Sequence, residues 1–355
     1  MRKAQPVNKS KYLIASGDTI LITGSSGFIG SRVVDVLLRE GFTNLRCLVR
    51  PSSELAALHT VLAKYPMARV EVLRGNLLSP EDCAAAAKDA ALIFHLAAGN
   101  EKSFAGCFRN CVLTTRNLLE AAVHFGRVRR FVNTSSFTVY SNWNLVSGAL
   151  LDESCPLEDE PVQRGEAYTF AKLYQDQVVV EYSLRYDLPF VIMRPGVVYG
   201  PGGHHITPRV GIDTFGIFFH LGGANQLPLT YVDNCAEAMV LGGLEPGVDG
   251  EVFNIVDDDL PTSREFLKKY KREGKRFRSI YIPYWCFYRL CSLWERYSQW
   301  SRGQLPPVFT RRRCATYWKG NKYTNRKLKD RLGWQPRVSF SEARRKYFED
   351  IRKAS

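Results

Sequence analysis

Thr19-Ile20-Leu21-Ile22-Thr23 is an unbroken apolar run that ends in glycines, as a strand buried on both faces of a sheet does. The residues from about Ser31 to Glu40 then predict a helix, closed by Gly41. Further strands are predicted at Leu45–Val49, Val70–Leu73, Leu92–Leu96, Arg130–Thr134 and Phe190–Arg194, with helices between them. Such alternation calls for a parallel sheet covered by helices on both faces, doubly wound, with its ligand outside the carboxyl ends of the strands. After Gly200-Pro201-Gly202-Gly203 the rhythm breaks into a stretch punctuated by glycine and proline, where a substrate pocket is expected. Thr230–Leu241 predicts a short strand running into a helix, Glu251–Val256 another strand, and the tail from Pro261 a helical, basic and aromatic segment.

At 355 residues and 45% hydrophobic composition the chain can bury a large core, as one domain or two intimate ones, which excludes a disordered or fibrous protein. Met1 to Asp18 has basic residues but no apolar run followed by a small-residue cleavage site, so a cytoplasmic protein is expected. Nine cysteines, an odd number without any Cys-x-x-Cys pair, predict reduced thiols and no metal site. Cys107 and Cys111, four apart on a predicted helix, read as packing residues. Charge is unevenly spread: residues 1–260 hold 23 Lys+Arg against 28 Asp+Glu, net −5, and residues 261–355 hold 26 against 7, net +19. The basic excess belongs to the C-terminal quarter, and no recognised motif accompanies it to suggest a nucleic-acid partner.

Gly24-Ser25-Ser26-Gly27-Phe28-Ile29-Gly30 directly follows the first buried strand and opens the first helix. In that context glycines permit a tight turn and close backbone approach, so that helix N-terminal amides face a dinucleotide pyrophosphate. Gly24, Ser26, Gly27, Phe28, Ile29 and Gly30 are therefore candidate cofactor contacts. The second strand ends Val49-Arg50-Pro51-Ser52-Ser53, where an NAD site usually offers an acidic residue to the ribose diol. Arg50 suits a 2′-phosphate instead, which favours NADP, with NAD as the alternative. The fold expected is α/β: a Rossmann-type doubly wound parallel sheet over residues 1–200, to which 228–257 return. A smaller, discontinuous C-terminal substrate-binding region is built from 201–227 and 258–355.

Tyr168-Thr169-Phe170-Ala171-Lys172 puts a phenol and an ammonium one helical turn apart on the same face. A nearby cation favours the phenolate, so the pair is a candidate proton-exchange device for an alcohol or carbonyl. With the glycine run, it points to hydride chemistry on a carbon–oxygen bond.

Other landmarks follow in a fixed order: His95-Leu96-Ala97-Ala98, Asn110 with Asn117-Leu118-Leu119-Glu120-Ala121-Ala122, Thr134-Ser135-Ser136, Arg194-Pro195, Val198-Tyr199-Gly200-Pro201-Gly202, and Tyr231-Val232-Asp233-Asn234. With the glycine run and Tyr168/Lys172, they resemble the extended short-chain dehydrogenase/reductase superfamily. That group includes the NAD-dependent epimerase/dehydratase and 3β-hydroxysteroid-dehydrogenase-like families, and the resemblance covers Thr19 to about Ala343. It implies Tyr168 as the general acid/base, with Lys172 depressing its pKa and holding the nicotinamide ribose. Ser136 would orient the substrate oxygen, with Ser135 as the fallback, and Asn110 would hold a relay water or make a structural bond. It adds Asn76, Leu77, Leu96, Ala97, Ala98, Thr134, Pro195 and Val198 to the cofactor pocket, though Asn76 stands where an aspartate is usual. It also implies a homodimer through the Asn110 and Tyr168 helices.

Departures from the family narrow the reaction. Ser136-Phe137-Thr138 replaces the Thr-Asp-Glu of sugar dehydratases, so no acid/base pair is present there to eliminate water. Gln226-Leu227-Pro228-Leu229-Thr230 lacks the arginine with which nucleotide-sugar epimerases clamp a diphosphate, although Arg209 or Arg264 offers one from another loop. The expectation is an NAD(P)(H)-dependent oxidoreductase acting on a small molecule, interconverting a secondary alcohol and a ketone on a steroid-like or other apolar β-hydroxy/β-oxo compound. A nucleotide-sugar 4-epimerase or reductase is the alternative, and a non-catalytic NADP-sensing regulator a third. Ile280–Leu293 with Trp294, Tyr297 and Trp300 is too short and too charged to span a bilayer but suits an anionic membrane interface, at the inner face. A helix capping the substrate pocket is the other reading. His204 and His205 read as solvated loop residues.

Overall fold

The computed structural model describes residues 12–99, 101–203, 206–302, 304–305 and 309–354; His204 and His205, and the N-terminal stretch through Lys11, lie outside them. Seven strands form the central sheet: β1 (Thr19–Thr23), β2 (Asn44–Val49), β3 (Arg69–Arg74), β4 (Ala90–His95), β5 (Arg130–Thr134), β6 (Phe190–Pro195) and β7 (Val252–Ile255). Their order is 3-2-1-4-5-6-7 and every pairing is parallel. The order reverses between β1 and β4, so the crevice for a ligand opens beyond Thr23 and His95.

Side chains alternate across the strands, and both faces are buried. Ile20, Ile22, Phe94 and Val132 meet the Gly30–Arg39 and Val232–Leu244 helices on one face. Leu21, Ile93 and Phe131 meet the Pro80–Ala87 and Thr114–Phe125 helices on the other. Gly243 is what lets the Val232–Leu244 helix lie on the sheet, because a Cβ there would fall 2.4 Å from the Phe94 ring. β3 forms one edge and presents Arg69, Glu71 and Arg74 outward, charges that discourage a further strand from pairing.

Strand positions match the apolar runs to within two residues, but the tail differs from the helical expectation. Its helices are Ser263–Glu273, Tyr284–Trp300, Arg311–Trp318, Arg326–Leu332 and Phe340–Ala354. Between them Ser279–Tyr281 pairs with Ile217–His220, and Lys322–Tyr323 with Leu150–Leu151. Both pairings join segments far apart in sequence, so nothing local marks them as strands. A third core gathers Tyr199, Phe218, Leu227, Leu229, Leu267 and Tyr347. Within Gln226–Thr230, Leu227 and Leu229 are buried in this core, Leu229 also lines a second cavity with Tyr199, Phe266 and Tyr347, and Thr230 donates to Asp257.

Candidate active site

The glycine turn sits at the switch point. Gly24 has φ +69°, in the left-handed region, and a Cβ there would fall 2.8 Å from Ala97 N; one on Gly30 would fall 2.0 Å from Gly24 O. Gly27, by contrast, is exposed, so the outer side of the turn is open to a phosphate group. Phe28 packs against the Gly200–Gly203 loop, since a Cβ on Gly203 would meet its ring at 2.9 Å. Leu96 and Ala97 lie against Gly24, Pro195 closes β6, and Val198 belongs to the short strand Val197–Tyr199. Arg50 is exposed at the carboxyl end of β2. Asn76 is tied to its own turn, its side-chain oxygen accepting from Leu78 N at 3.0 Å, while the Leu77 carbonyl accepts from Asn117. A tight inner turn with an open outer side, and a free-standing guanidinium on β2, fit a dinucleotide.

Tyr168 and Lys172 lie on the Ala167–Tyr186 helix, which begins after Gly165 in a left-handed conformation (φ +77°). Lys172 is buried, and two of its three N–H groups are fixed: one by Thr134 O at 2.6 Å, one by Gln175 Oε1 at 2.8 Å. Its ammonium lies over the Tyr168 ring, 5.8 Å from the centroid. The expected depression of the phenol is not what these surroundings produce. Burial pushes Tyr168 up, and Cys111, Tyr317, Cys107 and Asp176 add to the effect. Burial likewise lowers the Lys172 ammonium, against Cys111 and Asp176. The surroundings thus keep the phenol protonated.

Gln175 continues into a buried chain of bonds that sequence reasoning did not single out. Its Nε2 donates to Thr115 Oγ1 at 2.8 Å, and Thr115 donates to Cys111 O at 2.6 Å. Thr115 therefore has no proton left for His95, whose Nε2 stands 2.8 Å away and must be the donor. His95 Nδ1 is then the acceptor for Thr23 Oγ1, at 2.8 Å. This assigns one tautomer and one amide orientation along the whole path from β1 to Lys172. Each member is satisfied, so the path positions the lysine by holding Gln175 rigidly. Gln175 follows Lys172 by three residues on the same helix face, a spacing that marks it in retrospect.

Burial, with the Lys172 charge adding to it, lowers His95 from 6.5 to about 3. A base whose folded pKa is depressed gives stability that is complete above about 6.5 and lost as the pH falls toward about 3. Urea unfolding should therefore show a loss of about 2 kcal/mol from His95 between pH 7 and about pH 5. His95→Gln should lack that part of the slope; equal slopes in both proteins would contradict the assignment.

Asp176 binds Asn133 Nδ2 at 2.8 Å, Ser135 Oγ at 2.7 Å and Arg194 at 3.2 Å, all buried. Ser135 is thereby spent on structure. Ser136 Oγ accepts from Thr138 N at 3.2 Å, a bond that leaves its own proton for another acceptor. Asn110 lies in a π-helical turn, Phe108–Leu113, and its amide donates to the Glu101 carboxylate. The Cys107 and Cys111 thiols donate to the carbonyls of Glu101 and Gly99.

A second buried cluster frames the start of the Tyr168 helix. Arg164 Nε donates to Glu166 at 2.6 Å and its Nη1 to the Thr138 carbonyl at 2.6 Å, with Glu158 at 3.8 Å. Arg312 and Arg313 reach the same two glutamates at 2.6 and 3.2 Å, and Tyr317 donates to Glu166 at 2.6 Å. Burial alone would raise the Glu166 carboxyl; Arg164, Arg313 and Tyr317 outweigh it and hold it below its ordinary value. Tyr317 also lines a cavity of 650 Å³ walled by Ile212, Phe218, Phe277, Phe309 and Trp318, with Lys275, Arg313 and Asp213 as its charged lining. Arg209 is not available as a diphosphate clamp, being buried between Thr316 O, Tyr323 and the Tyr317 ring, whereas Arg264 is exposed beside Tyr281.

A Rossmann-type sheet with a glycine turn at its switch point and a Tyr-x-x-x-Lys helix beside it defines an enzyme of the extended short-chain dehydrogenase/reductase class, an oxidoreductase. Residues 20–255 match the model of the NAD-dependent epimerase/dehydratase family, and the chain belongs to that family. It is 23% identical over 348 residues to the decarboxylating sterol-4-alpha-carboxylate 3-dehydrogenase of Mus musculus, covering 93% of this chain and 90% of the relative. It is 25% identical over 350 residues to 3beta-hydroxysteroid-dehydrogenase/decarboxylase isoform 1 of Arabidopsis thaliana, covering 91% and 77%. Among solved structures, gox2253 superposes with a TM-score of 0.76 at 23% identity, covering 96% of this chain and 99% of that one. The UDP-glucuronic acid 4-epimerase of Bacillus cereus does so at 0.69 and 20% identity, covering 95% and 100%.

Proposed function

We propose that this enzyme is an NADP(H)-dependent alcohol dehydrogenase or ketone reductase for an apolar substrate, steroid-like or another β-hydroxy/β-oxo compound. The observation that carries the reading is the aromatic cavity that Tyr317 joins to the Tyr168 helix. Bound at the glycine turn, the cofactor supplies or accepts a hydride. Tyr168, kept protonated by burial, donates its proton to the carbonyl oxygen as the alcohol forms. Ser136 donates a hydrogen bond to the same oxygen. Lys172, with two N–H groups anchored to Thr134 O and Gln175, would have its third left to hold the nicotinamide ribose. The cavity's aromatic walls would take the substrate's apolar body and Lys275 or Arg313 an acidic group on it. The outward-facing Tyr174, Val180 and Leu184 of the Tyr168 helix support a homodimer through that helix.

NADPH oxidation with hydrophobic ketones, run beside chromatography of incubated UDP- and GDP-sugars, tests the substrate class. Sugar interconversion without net cofactor consumption would favour the epimerase reading instead, and tight NADPH binding without any turnover the regulator. For the cofactor, Arg50→Ala should raise KM for NADPH about tenfold or more, the cost of one charge-assisted phosphate contact, and leave KM for NADH unchanged. An equal effect on both cofactors would remove the case for NADP.

A further inference from the structure

The Tyr284–Trp300 helix is two-sided. Inward, Phe287 meets the Trp318 ring edge-on at 5.2 Å, and Cys291 is buried against Cys314 and Leu221. Outward, Trp285, Leu290, Leu293, Tyr297 and Trp300 are 45% to 78% exposed. At 3.6 residues per turn, positions 285, 289, 293, 296, 297 and 300 share that face, so Arg289 and Arg296 stand among the apolar side chains. The helix has one acidic residue, Glu295, and it is turned toward Arg311, 2.5 Å away. A row of exposed indoles and leucines of this kind marks a contact surface. The inward face packs behind Trp318, which lines the 650 Å³ cavity, and the outward face takes no part in that packing.

We propose that this outward face lies in the interfacial layer of an anionic lipid membrane, with the helix axis parallel to the surface. Trp285, Leu293 and Trp300 would enter the boundary between headgroups and acyl chains, while Arg289 and Arg296 meet lipid phosphates and carboxylates. Charge complementarity selects this occupant. The quarter of the chain that contains the helix carries net +19, which draws it to an anionic surface. A two-fold contact with a second copy would instead press Arg289 and Arg296 against their own counterparts. The helix lies on the membrane and does not cross it: 17 residues span about 26 Å, and no helix among the described residues is long and apolar enough to cross a bilayer. None of this depends on the hydride reading, because none of these side chains belongs to the active site.

Flotation with vesicles decides it. The full chain should co-float with phosphatidylcholine/phosphatidylserine vesicles at low salt, much less at high salt, and little with pure phosphatidylcholine. Trp285→Ser/Leu293→Ser/Trp300→Ser should lose at least about tenfold in partitioning, the scale expected for three buried apolar anchors, at unchanged thermal stability and turnover. If that protein does not fold, Arg289→Glu/Arg296→Glu keeps the apolar row and should lose binding to the anionic vesicles alone. Failure of the full chain to float at low salt, or undiminished flotation of both variants, would overturn the proposal. So would a sedimentation shift from dimer to monomer in the triple variant with no vesicle binding by the parent, which would make the face a self-contact.

Discussion

Tyr168→Phe should reduce turnover by about three orders of magnitude or more and leave NADPH affinity nearly intact. The substitution removes one oxygen and nothing that holds the site: the ring stays under the Lys172 ammonium, and Lys172 keeps Thr134 O and Gln175. What is lost is the proton that burial keeps on the phenol. A fluorescence titration of NADPH beside steady-state kinetics separates the two effects. Full retained activity would sink the catalytic assignment, whereas a loss of cofactor affinity equal to the loss of rate would make Tyr168 a binding residue.

Arg164→Leu should cost about 3–5 kcal/mol of folding stability, read as a fall in the urea midpoint. The guanidinium is fully buried and serves two glutamates and two carbonyls, those of Thr138 and Tyr140. Its removal leaves Glu166 with Arg313, Tyr317 and Thr169, and strands the two carbonyls without that donor. The contrast is Arg326→Leu, which breaks an exposed pair with Asp330 and should change stability by about 0.5 kcal/mol or less. Similar losses in the two variants would mean that the cluster around Glu166 is not what secures the start of the Tyr168 helix.

The sheet was legible because its strands are short apolar runs, each followed by a glycine turn or a helix, and because Tyr168 and Lys172 announce themselves by spacing. The choice of Ser136 over Ser135 rests on the order of residues in the family, and what packing adds is that Asp176 takes the Ser135 hydroxyl. The His95–Thr115–Gln175 path was not legible, since it joins four segments by side chains that look ordinary in any of them. Neither was the cluster at Arg164, where Arg312 and Tyr317 arrive from about 150 residues away. Gln226–Thr230 lacks an arginine, as its sequence shows, and what packing adds is that the third core absorbs its Leu227 and Leu229. The tail's aromatic spacing, in contrast, already held both faces of the Tyr284–Trp300 helix, and only three-dimensional packing says which half turns inward.

The central claim is that hydride passes between the dinucleotide and an apolar substrate's carbonyl carbon. NADPH carrying deuterium at both C4 positions, incubated with the enzyme and a hydrophobic ketone, tests it by mass spectrometry of the alcohol formed. The account predicts one deuterium on the carbinol carbon, with cofactor oxidised mole for mole and product from Tyr168→Phe reduced by about three orders of magnitude. Alcohol without deuterium, or a sugar nucleotide epimerised while the cofactor stays unchanged, would contradict it.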